Sequence, residues 1–373
     1  VAAEFRAVAD RAGEIYRALP AESRGAFFQL VLFPTKASWQ LTELYFAAAK
    51  NNLYKHQRRA ANNDMAARAQ EMFLADASIT REWNQLSAGR WEHFMDMAHI
   101  GYTSFSMLGQ NNTMDAISLL NISLPMEASM AIAIEGSKSA WPGATESPVM
   151  PRFDVLTQQR YYIEVFNRGQ TPFNFMARAS HLWVNMSNAS GIVDKQQRVW
   201  VDIRWDKVPA GASAASITFT GAGSTLTVKL NTLNPREISR GSLRRGFAEG
   251  PGYVSIEAEH FTALKNVGQN CWTKVDGLGH TLSAAAMRAA APIDAPSATA
   301  GNDAAYLEYQ MYLYTSGAAD VILMLSATLN LVPGRALRYA VAFDDQASTI
   351  ATVVPKNYTA QAGNSDWEAS VEI

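Results

Sequence analysis

Two glutamates two positions apart are the first residues of this sequence that could do chemistry. Glu257 and Glu259 stand in YVSIEAEHF, where apolar and polar residues alternate, so the pattern predicts a strand over about 254–258. Side chains two apart on a strand point to the same side. Hydrolysis of a glycosidic bond needs two carboxylates on opposite sides of that bond, roughly 5–10 Å apart. Neighbours on one strand face cannot flank a sugar, so we predict no catalytic residue here.

Two histidines form the next candidate pair. His93 and His99 lie six apart in RWEHFMDMAHIGYT, across the end of a predicted helix. Histidine pairs that bind zinc on a helix are four apart with a carboxylate nearby, so this spacing argues against zinc. Capping or hydrogen bonding at the helix end explains His99 more simply.

Three arginines stand in a glycine-rich stretch, at Arg240, Arg244 and Arg245. A guanidinium can hold a carboxylate through two parallel hydrogen bonds, so these residues are candidates for binding an acidic ligand. The alternative is that they are solvated charges of a linker.

Two further sets of residues predict structure rather than chemistry. Asp344 and Asp345 separate two predicted strands and indicate a hairpin turn, because Asp hydrogen-bonds locally and tolerates turn geometry. Trp200 and Trp205 lie on opposite faces of one predicted strand, so at least one belongs to a core. Exposed tryptophans are predicted at positions 141 and 272.

Length and composition limit the fold and the partners. A chain of 373 residues exceeds what one hydrophobic core serves, so we expect two or three domains. The net charge of -2 argues against nucleic acid, whose binding needs a basic surface. Cys271 is the only cysteine, which excludes an intramolecular disulfide and a cysteine-based zinc site. We predict no membrane span, because no apolar run reaches about 18 residues.

The first part of the chain has the period of helices. Apolar residues recur at three- and four-residue spacing and predict helices at about 5–19, 22–33, 36–59, 65–73 and 90–97. Pro20 and Pro34 are predicted to end the first two of these. Short connections favour a compact antiparallel bundle over residues 1–110. The chain begins at Val1 without a start Met or a signal sequence, so we expect a piece of a longer protein.

After residue 117 the period changes to two. Alternation around 161–166, 199–205 and 226–230, with turns at 167–169 and 221–223, predicts an antiparallel sandwich of immunoglobulin-like size over 111–235. A glycine-rich linker is predicted at 236–252. Strands resume at about 306–314, 320–327, 338–343 and 349–354, with a long loop over 284–301. The fold class is therefore a helical bundle followed by two antiparallel β-sandwiches, the second, over 253–373, jelly-roll-like and incomplete.

Several longer motifs occur in order along the chain. They are LVLFPTKASWQLTELYFAAAKNNLYKHQRRAANNDMA, AGRWEHFMDMAHIGYTSF, AIAIEGSKSAWPG, RYYIEVFNRGQTPFNF, GFAEGPGYVSIEAEHF and LEYQMYLYTSGAADV. With them the chain resembles the C-terminal half of glycoside hydrolase family 115, the xylan α-glucuronidases. It departs from the family pattern at Phe105, where a Trp is usual, and at residues 107–110.

The resemblance implies a parent enzyme that removes α-1,2-linked glucuronic acid or its 4-O-methyl ether from xylan. Family members carry their acid, base and glucuronate-binding residues in a barrel N-terminal to the helices, which these 373 residues do not include. The implied role of this chain is to support that missing catalytic barrel, to contribute to a homodimer and to shape the access of glucuronoxylan. A secreted or periplasmic location is also implied.

Five residues are candidate substrate contacts in such a parent enzyme. Trp91, His99 and Tyr102 would face the missing barrel and form part of the wall of its cleft. Arg244 and Arg245 would reach the mouth of the cleft and hold the carboxylate of glucuronate.

The opening I-E-A-E of the last domain is similar to that of carbohydrate-binding jelly rolls whose glutamates ligate calcium. This similarity implies a structural calcium held by Glu257 and Glu259, and a solvated strand face is the alternative. A different function also stays open, namely a stand-alone carbohydrate-binding module for xylan that grips its ligand through exposed aromatic residues of the last domain.

Overall fold

The computed structural model describes residues 2–101, 112–236, 238–239, 241–243, 246–288, 305–326, 328 and 334–358. The chain divides into two compact units. The first comprises Val1–Asp154 and Gln158–Asn234, and the second comprises Val155–Thr157 and Pro235–Ile373. Within the described ranges, no helix is long and apolar enough to cross a membrane.

Four helices open the first unit. They are α1 (Ala2–Ala18), α2 (Ala21–Phe27), α3 (Phe33–Gln57) and α4 (Asn62–Asn84). The break between α1 and α2 lies at Pro20, as predicted. The prediction of a fifth helix over 90–97 is wrong. Ser87 and Ala88 have left-handed φ angles of 55° and 58°, and residues 90–95 form turns.

The predicted helix end at Pro34 is also wrong. A π-helical turn, Phe28–Leu32, joins α2 to α3, so Pro34, the second residue of α3, lies inside a continuous helical segment. The hydroxyl of Thr35 donates to the carbonyl oxygens of Val31 at 2.8 Å and Leu32 at 3.0 Å. The carbonyl oxygens of Val31 and Leu32, where the π-helical turn meets α3, therefore have a hydrogen-bond donor in Thr35.

The helices share a core built from aromatic rings and small side chains. The buried ring of Phe28 lies 6.3 Å from both Phe33 and Trp83, measured between ring centroids. Ala48 of α3 and Ala69 of α4 are buried in a neighbouring cluster. Small residues at these positions leave room for the two helices to pack against each other.

Two sheets complete the first unit. A four-stranded antiparallel sheet, the first sheet, has the order β1-β3-β7-β5, and a five-stranded sheet, the second sheet, has the order β2-β9-β8-β4-β6, in which the short β2 pairs parallel with β9. The strands are β1 (Met130–Ile134), β2 (Phe153–Asp154), β3 (Tyr161–Asn167), β4 (Phe173–Ala179), β5 (Val184–Met186), β6 (Ser190–Val193), β7 (Gln196–Ile203), β8 (Gly211–Gly221) and β9 (Ser224–Asn234).

Side chains of both sheets meet in one hydrophobic core. Ile163 and Val201 of the first sheet and Phe219 and Leu230 of the second are fully buried members of the same cluster. In each strand, the side chains that point into this core stand at alternate positions, as the alternation in the sequence predicts. Trp205 packs against this core.

Two predicted turns are confirmed and have clear physical causes. Ala222 and Gly223 join β8 to β9 with φ angles of 45° and 71°, the positive pair that a tight hairpin requires. At Gly169 a Cβ atom would lie 1.8 Å from the carbonyl oxygen of Glu127, so only glycine fits. The prediction that Trp141 is exposed is wrong, because its backbone pairs with Ile132 of β1 and its indole N–H donates to the carbonyl of Glu146 at 2.6 Å.

The second unit contains short strands paired in twos. They are β10 (Phe247–Ala248), β11 (Ala263–Lys265), β12 (Cys271–Val275), β13 (Ala284–Arg288), β14 (Tyr306–Glu308), β15 (Met311–Tyr312), β16 (Leu337–Val341) and β17 (Thr349–Val354). The pair β10–β15 is parallel, while β11–β14, β12–β13 and β16–β17 are antiparallel. The predicted turn between β16 and β17 is confirmed, with Asp344 at a φ of 48°.

Three expectations for this unit are wrong. Residues 254–258 form no strand, residues 284–288 of the predicted loop form β13, and residues 320–326 of another predicted strand are unpaired. From residue 246 onward, Val354 is the only buried apolar side chain among the described residues. The apolar run of residues 321–325, VILML, is exposed, with Ile322 at 80% and Met324 at 74%.

Candidate functional site

Of the five residues predicted to contact substrate, the structure describes Trp91 and His99. Tyr102, Arg244 and Arg245 lie outside the described residues, so their roles stay predictions. Trp91 is 43% exposed and packs edge-on against the ring of Phe94, with 6.0 Å between the centroids.

His99 is held by a carboxylate that the sequence did not single out. Its Nε2 lies 2.9 Å and 3.0 Å from the two carboxylate oxygens of Asp76, a residue of α4 that is 2% exposed. Its Nδ1 lies 2.9 Å from the carbonyl oxygen of Met97. Both ring nitrogens therefore face acceptors, which favours the doubly protonated imidazolium.

The charge of His99 follows from these contacts. The hydrogen bond to Asp76 raises the pKa of His99 above its ordinary value, and it outweighs the opposing effect of burial. With an acceptor at each ring nitrogen, His99 has both nitrogens occupied and can orient the loop that carries it. His99 is predicted to form a hydrogen bond at the helix end, and in the structure its partner is the carboxylate of Asp76.

Glu257 and Glu259 do not share a strand face, because no strand is present there. Glu257 accepts a hydrogen bond from the hydroxyl of Thr281. One carboxylate oxygen of Glu259 lies 3.4 Å from Nζ of Lys274, which also lies 2.9 Å from the carboxylate of Asp276. The two glutamates thus belong to different small networks.

This arrangement does not fit a calcium ion. Calcium takes six to eight oxygen ligands, several of them carboxylates. Among the described residues, no three acidic, His or Cys side chains are grouped so as to hold a metal. Instead, the ammonium group of Lys274 supplies the positive charge between Glu259 and Asp276, and a hydrogen bond from Ser283, followed by Lys274, lowers the pKa of Glu259.

A group of interacting polar side chains lies where α3 and α4 meet the first sheet. We name this the helix–sheet junction, comprising Gln57, Arg59, Glu164, Arg168, Gln196 and Arg198. The backbone joins across it, because the N–H of Ala60 donates to the carbonyl of Asn167 at 2.8 Å. The guanidinium of Arg168 donates to the carbonyl of Gln57 at 2.9 Å.

Arg59 lies at the centre of the helix–sheet junction and is 2% exposed. Its Nη1 lies 2.5 Å from Oε2 of Glu164, and its Nε donates to Oε1 of Gln57 at 2.6 Å. The guanidinium also lies 4.4 Å from the ring centroid of Tyr54 and 4.3 Å from that of Phe166. A planar cation suits such a place, because it can stack on rings while its edge donates hydrogen bonds.

Glu164 connects this buried arginine to an exposed one. Its second oxygen, Oε1, accepts a hydrogen bond from Arg198 at 2.8 Å. Burial alone would raise the pKa of Glu164, but the charges and hydrogen bonds of Arg59 and Arg198 lower it below its ordinary value. Glu164 is therefore an anion at neutral pH and cannot donate a proton as a general acid.

Lys50 of α3 extends the charged group. Burial is the main cause that lowers its pKa, with Glu164 opposing and Arg198 adding to the effect. Its ammonium lies 4.3 Å from the ring centroid of Phe46. The helix–sheet junction is thus an arrangement of fixed charges and rings, which suits binding and mechanical support.

Sequence reasoning missed Asp76, Arg59 and Glu164. Arg59 and Glu164 are 105 positions apart, and no local period indicates their contact. The available signal was the motif RYYIEVFN, in which Glu164 is the only charged residue of a strand rich in apolar and aromatic residues.

Comparisons with known proteins bear mainly on the second unit. Residues 246–372 match the family model described as the glycosyl hydrolase family 115 C-terminal domain. Among curated proteins, none matches the chain.

Three solved structures are distantly similar to parts of this chain. A Caenorhabditis elegans MSP family member, WR4, is 8% identical with a TM-score of 0.18, covering 22% of this chain and 92% of its own. The periplasmic chaperone SfaE is 9% identical with a TM-score of 0.21, covering 31% and 64%. A Bacteroides ovatus GH5 xyloglucanase in complex with a XXXG heptasaccharide is 15% identical with a TM-score of 0.21, covering 40% and 29%. Scores this low carry no argument about fold or function.

The family match agrees with the motifs that the sequence places in its last part, GFAEGPGYVSIEAEHF and LEYQMYLYTSGAADV. The resemblance noted from those motifs is thereby confirmed for residues 246–372, which are similar to the C-terminal domain of glycosyl hydrolase family 115.

Proposed function

We propose that this chain is a non-catalytic C-terminal portion of a xylan α-1,2-glucuronidase. The parent enzyme would remove glucuronic acid or its 4-O-methyl ether from glucuronoxylan, and would act outside the cell or in the periplasm. The chain would support the catalytic barrel, contribute to a homodimer and shape the access of substrate.

The observation that carries this proposal is the match of residues 246–372 to the family 115 C-terminal domain. This match supports the view that the region is an accessory part of a glycoside hydrolase. Removal of glucuronate from xylan comes from the sequence resemblance alone, and it is the part of the proposal that the experiment below addresses.

The helix–sheet junction supports the mechanical side of the proposal. Hydrogen bonds from Ala60 to Asn167 and from Arg168 to Gln57 join helices and sheet, and a buried ion pair lies between them. A part that supports a catalytic domain must hold its own geometry, and satisfied buried polar networks provide such rigidity.

The finer description of the fold is part of the same proposal. We expect the two sheets of the first unit, which share one core, to form an immunoglobulin-like sandwich. The strand pairs of the second unit are expected to belong to a jelly-roll-like sandwich.

The predicted substrate contacts also remain proposals. Trp91, with its exposed indole, and His99, whose ring is hydrogen-bonded to Asp76, would face the barrel together with Tyr102. Arg244 and Arg245 would approach the carboxylate of glucuronate at the mouth of the cleft.

Glucuronic acid release from glucuronoxylan tests the proposal. The purified 373-residue chain is compared with the longer product of the same gene, which includes the coding region upstream of Val1. We expect the longer protein to release glucuronic acid and the chain alone to release none. Release by the chain alone, or none by the longer protein, would contradict the proposal.

Light scattering of the longer protein tests the homodimer separately. A mass twice that of one chain supports it, and the monomer mass contradicts it.

A further inference from the structure

The segment between the helices and the sheets of the first unit has features of a part that can move separately. Residues 118–129 lie outside any helix or strand, and we name them the strap. The residues at its two ends belong to different cores. Ile117 is buried in a cluster with residues of α3 and α4, and Met130 is buried in the core that the two sheets share. The strap is therefore the covalent connection between the helices and the sheets.

The first half of the strap is held by asparagines of the helices. Oδ1 of Asn51 accepts a hydrogen bond from the N–H of Leu120 at 2.8 Å, and Nδ2 of Asn51 donates to the carbonyl oxygen of Leu120 at 3.0 Å. Asn63 makes the same two bonds to Ile122, at 2.9 Å and 3.0 Å. Nδ2 of Asn62 also donates to the carbonyl oxygen of Leu120, at 2.7 Å. Side-chain amides thus pair with this backbone as a neighbouring strand would.

The second half of the strap is held by the turn between β3 and β4. Nε2 of Gln170 donates to the carbonyl oxygen of Leu124 at 2.9 Å. The N–H groups of Gln170 and Thr171 donate to the carbonyl oxygens of Pro125 at 3.0 Å and Met126 at 3.1 Å. Helices and sheets therefore hold different halves of the same segment.

The strap adds little to either core. Each of its side chains is partly or fully exposed. Two cavities border it, one of about 510 Å³ lined in part by Ile122, Ser123 and Leu124, and one of about 430 Å³ lined in part by Leu119 and Asn121. A segment with few buried apolar contacts belongs to the part of a protein that opens at a low free energy.

The helices have a second attachment to the sheets, which does not involve the strap. This attachment is the helix–sheet junction, where the N–H of Ala60 donates to the carbonyl of Asn167 at 2.8 Å and Arg59 pairs with Glu164. Opening of the strap therefore breaks the hydrogen bonds of the strap but leaves the junction and both cores in place.

We propose that the strap is a releasable connection, which opens and closes while the helices and the sheets stay folded. In the closed state it couples the helices to the sheets at a second place. In the open state the helices are held through the helix–sheet junction, and the side-chain amides of Asn51 and Asn63 become free to bind water. The inference rests on these contacts and is independent of the proposed function.

Native-state hydrogen exchange of the purified chain, followed by NMR, tests this inference. The amides of Leu120 and Ile122 report on the strap, and those of Ile163 and Val165 in β3 report on the sheets. After correction for intrinsic rates, we expect the strap amides to exchange at least about a hundredfold faster. Their exchange should also depend less on denaturant concentration, because a local opening exposes less surface than unfolding does. The same free energy of opening and the same denaturant dependence for both sets would overturn the proposal.

One variant weakens the strap with little change of shape. In Asn63→Asp the carboxylate can still accept from the N–H of Ile122 but cannot donate to its carbonyl oxygen, and aspartate suits the first turn of α4. We expect exchange at Ile122 to become about tenfold faster, while the sheet amides change less.

Asn52→Asp is the matched control, because Asn52 stands next to Asn51 on α3. It should leave the ratio of strap exchange to sheet exchange unchanged. Equal acceleration of strap and sheet amides in Asn63→Asp, or none at Ile122, would contradict the proposal. If Asn63→Asp does not fold, the comparison of strap and sheet amides in wild type decides the matter.

Discussion

Glu164 accepts hydrogen bonds from two arginines at once, through Oε2 from the buried Arg59 at 2.5 Å and through Oε1 from the more exposed Arg198 at 2.8 Å. One carboxylate thus joins the interior of the helix–sheet junction to the open face of the sheet. Because a buried cation without its partner is costly, the integrity of the first unit depends on this residue.

Replacing Glu164 by Gln should lower the free energy of unfolding by about 3–5 kcal/mol, because Arg59 would be left buried without a carboxylate. Chemical denaturation followed by tryptophan fluorescence measures this change. The control is Glu14→Gln, which breaks the exposed ion pair with Arg11 and should cost about 1 kcal/mol or less. If both variants lose the same stability, the junction is less important than its geometry indicates.

The same pair predicts a dependence of stability on pH. The pKa of Glu164 is lower in the folded protein than the ordinary value of 4.5. Its contribution is therefore present above that value and is lost as the pH falls through the folded pKa. Wild type and Glu164→Gln should converge in melting temperature as the pH is lowered below 4.5. If the difference in melting temperature between wild type and Glu164→Gln stays constant as the pH falls below 4.5, Glu164 does not contribute in this way.

The raised pKa of His99 predicts that its contribution to stability depends on pH with the opposite sign. Asp76 raises its pKa above the ordinary value of 6.5, so the stabilisation is present below that value and is lost as the pH rises through the folded pKa. NMR titration of the imidazole in wild type and in Asp76→Asn measures the effect directly. The pKa should be lower in the variant, and an unchanged pKa would mean that Asp76 does not hold the ring.

Gly169 should tolerate no side chain, because a Cβ atom there would lie 1.8 Å from the carbonyl oxygen of Glu127. We expect Gly169→Ala to lower the melting temperature markedly, because the backbone around either Gly169 or Glu127 must move to make room for the Cβ atom. Gly25 of α2 is the matched control, because no atom lies within 4 Å of its added Cβ. Gly25→Ala should raise stability by about 0.5–1 kcal/mol, as alanine does in helices. Equal effects of the two substitutions would contradict the close contact.

Glu249 should stabilise the backbone at residues 314 and 315 of the second unit. This carboxylate is 4% exposed and accepts hydrogen bonds from the N–H groups of Tyr314 at 2.6 Å and Thr315 at 2.9 Å, and from the Thr315 hydroxyl at 2.9 Å. Glu249→Ala leaves these donors without that acceptor, at a cost of about 1–3 kcal/mol for each buried one. Hydrogen exchange at residues 314 and 315 should accelerate strongly. Thr315→Val, which removes one of the three bonds, should have a smaller effect, and equal protection in both variants would contradict the role of Glu249.

Features that depend on local sequence could be predicted. The end of α1 at Pro20, the turn at Ala222 and Gly223 and the strand Thr349–Val354 follow from proline, glycine and alternation of side chains. In each case the physical cause lies within a few residues, so the sequence carries the whole signal.

Features that depend on distant partners could not be predicted. Arg59 contacts Glu164 across 105 positions, and Trp141 is buried because its backbone pairs with β1. Pro34 stays inside a helix because the preceding π-helical turn changes the register. For the candidate site, types of residue were predicted better than contacts: His99 was singled out, and its partner Asp76 was not.

The five apolar residues 321–325 have a practical consequence for work on this protein. Their side chains are exposed, and within the described residues the segment is not part of a strand. An exposed apolar segment of this kind can associate with another extended chain, which is a common start of aggregation. Preparations will therefore keep best when dilute, and a lysine in place of Ile322 would interrupt the run with a solubilising charge.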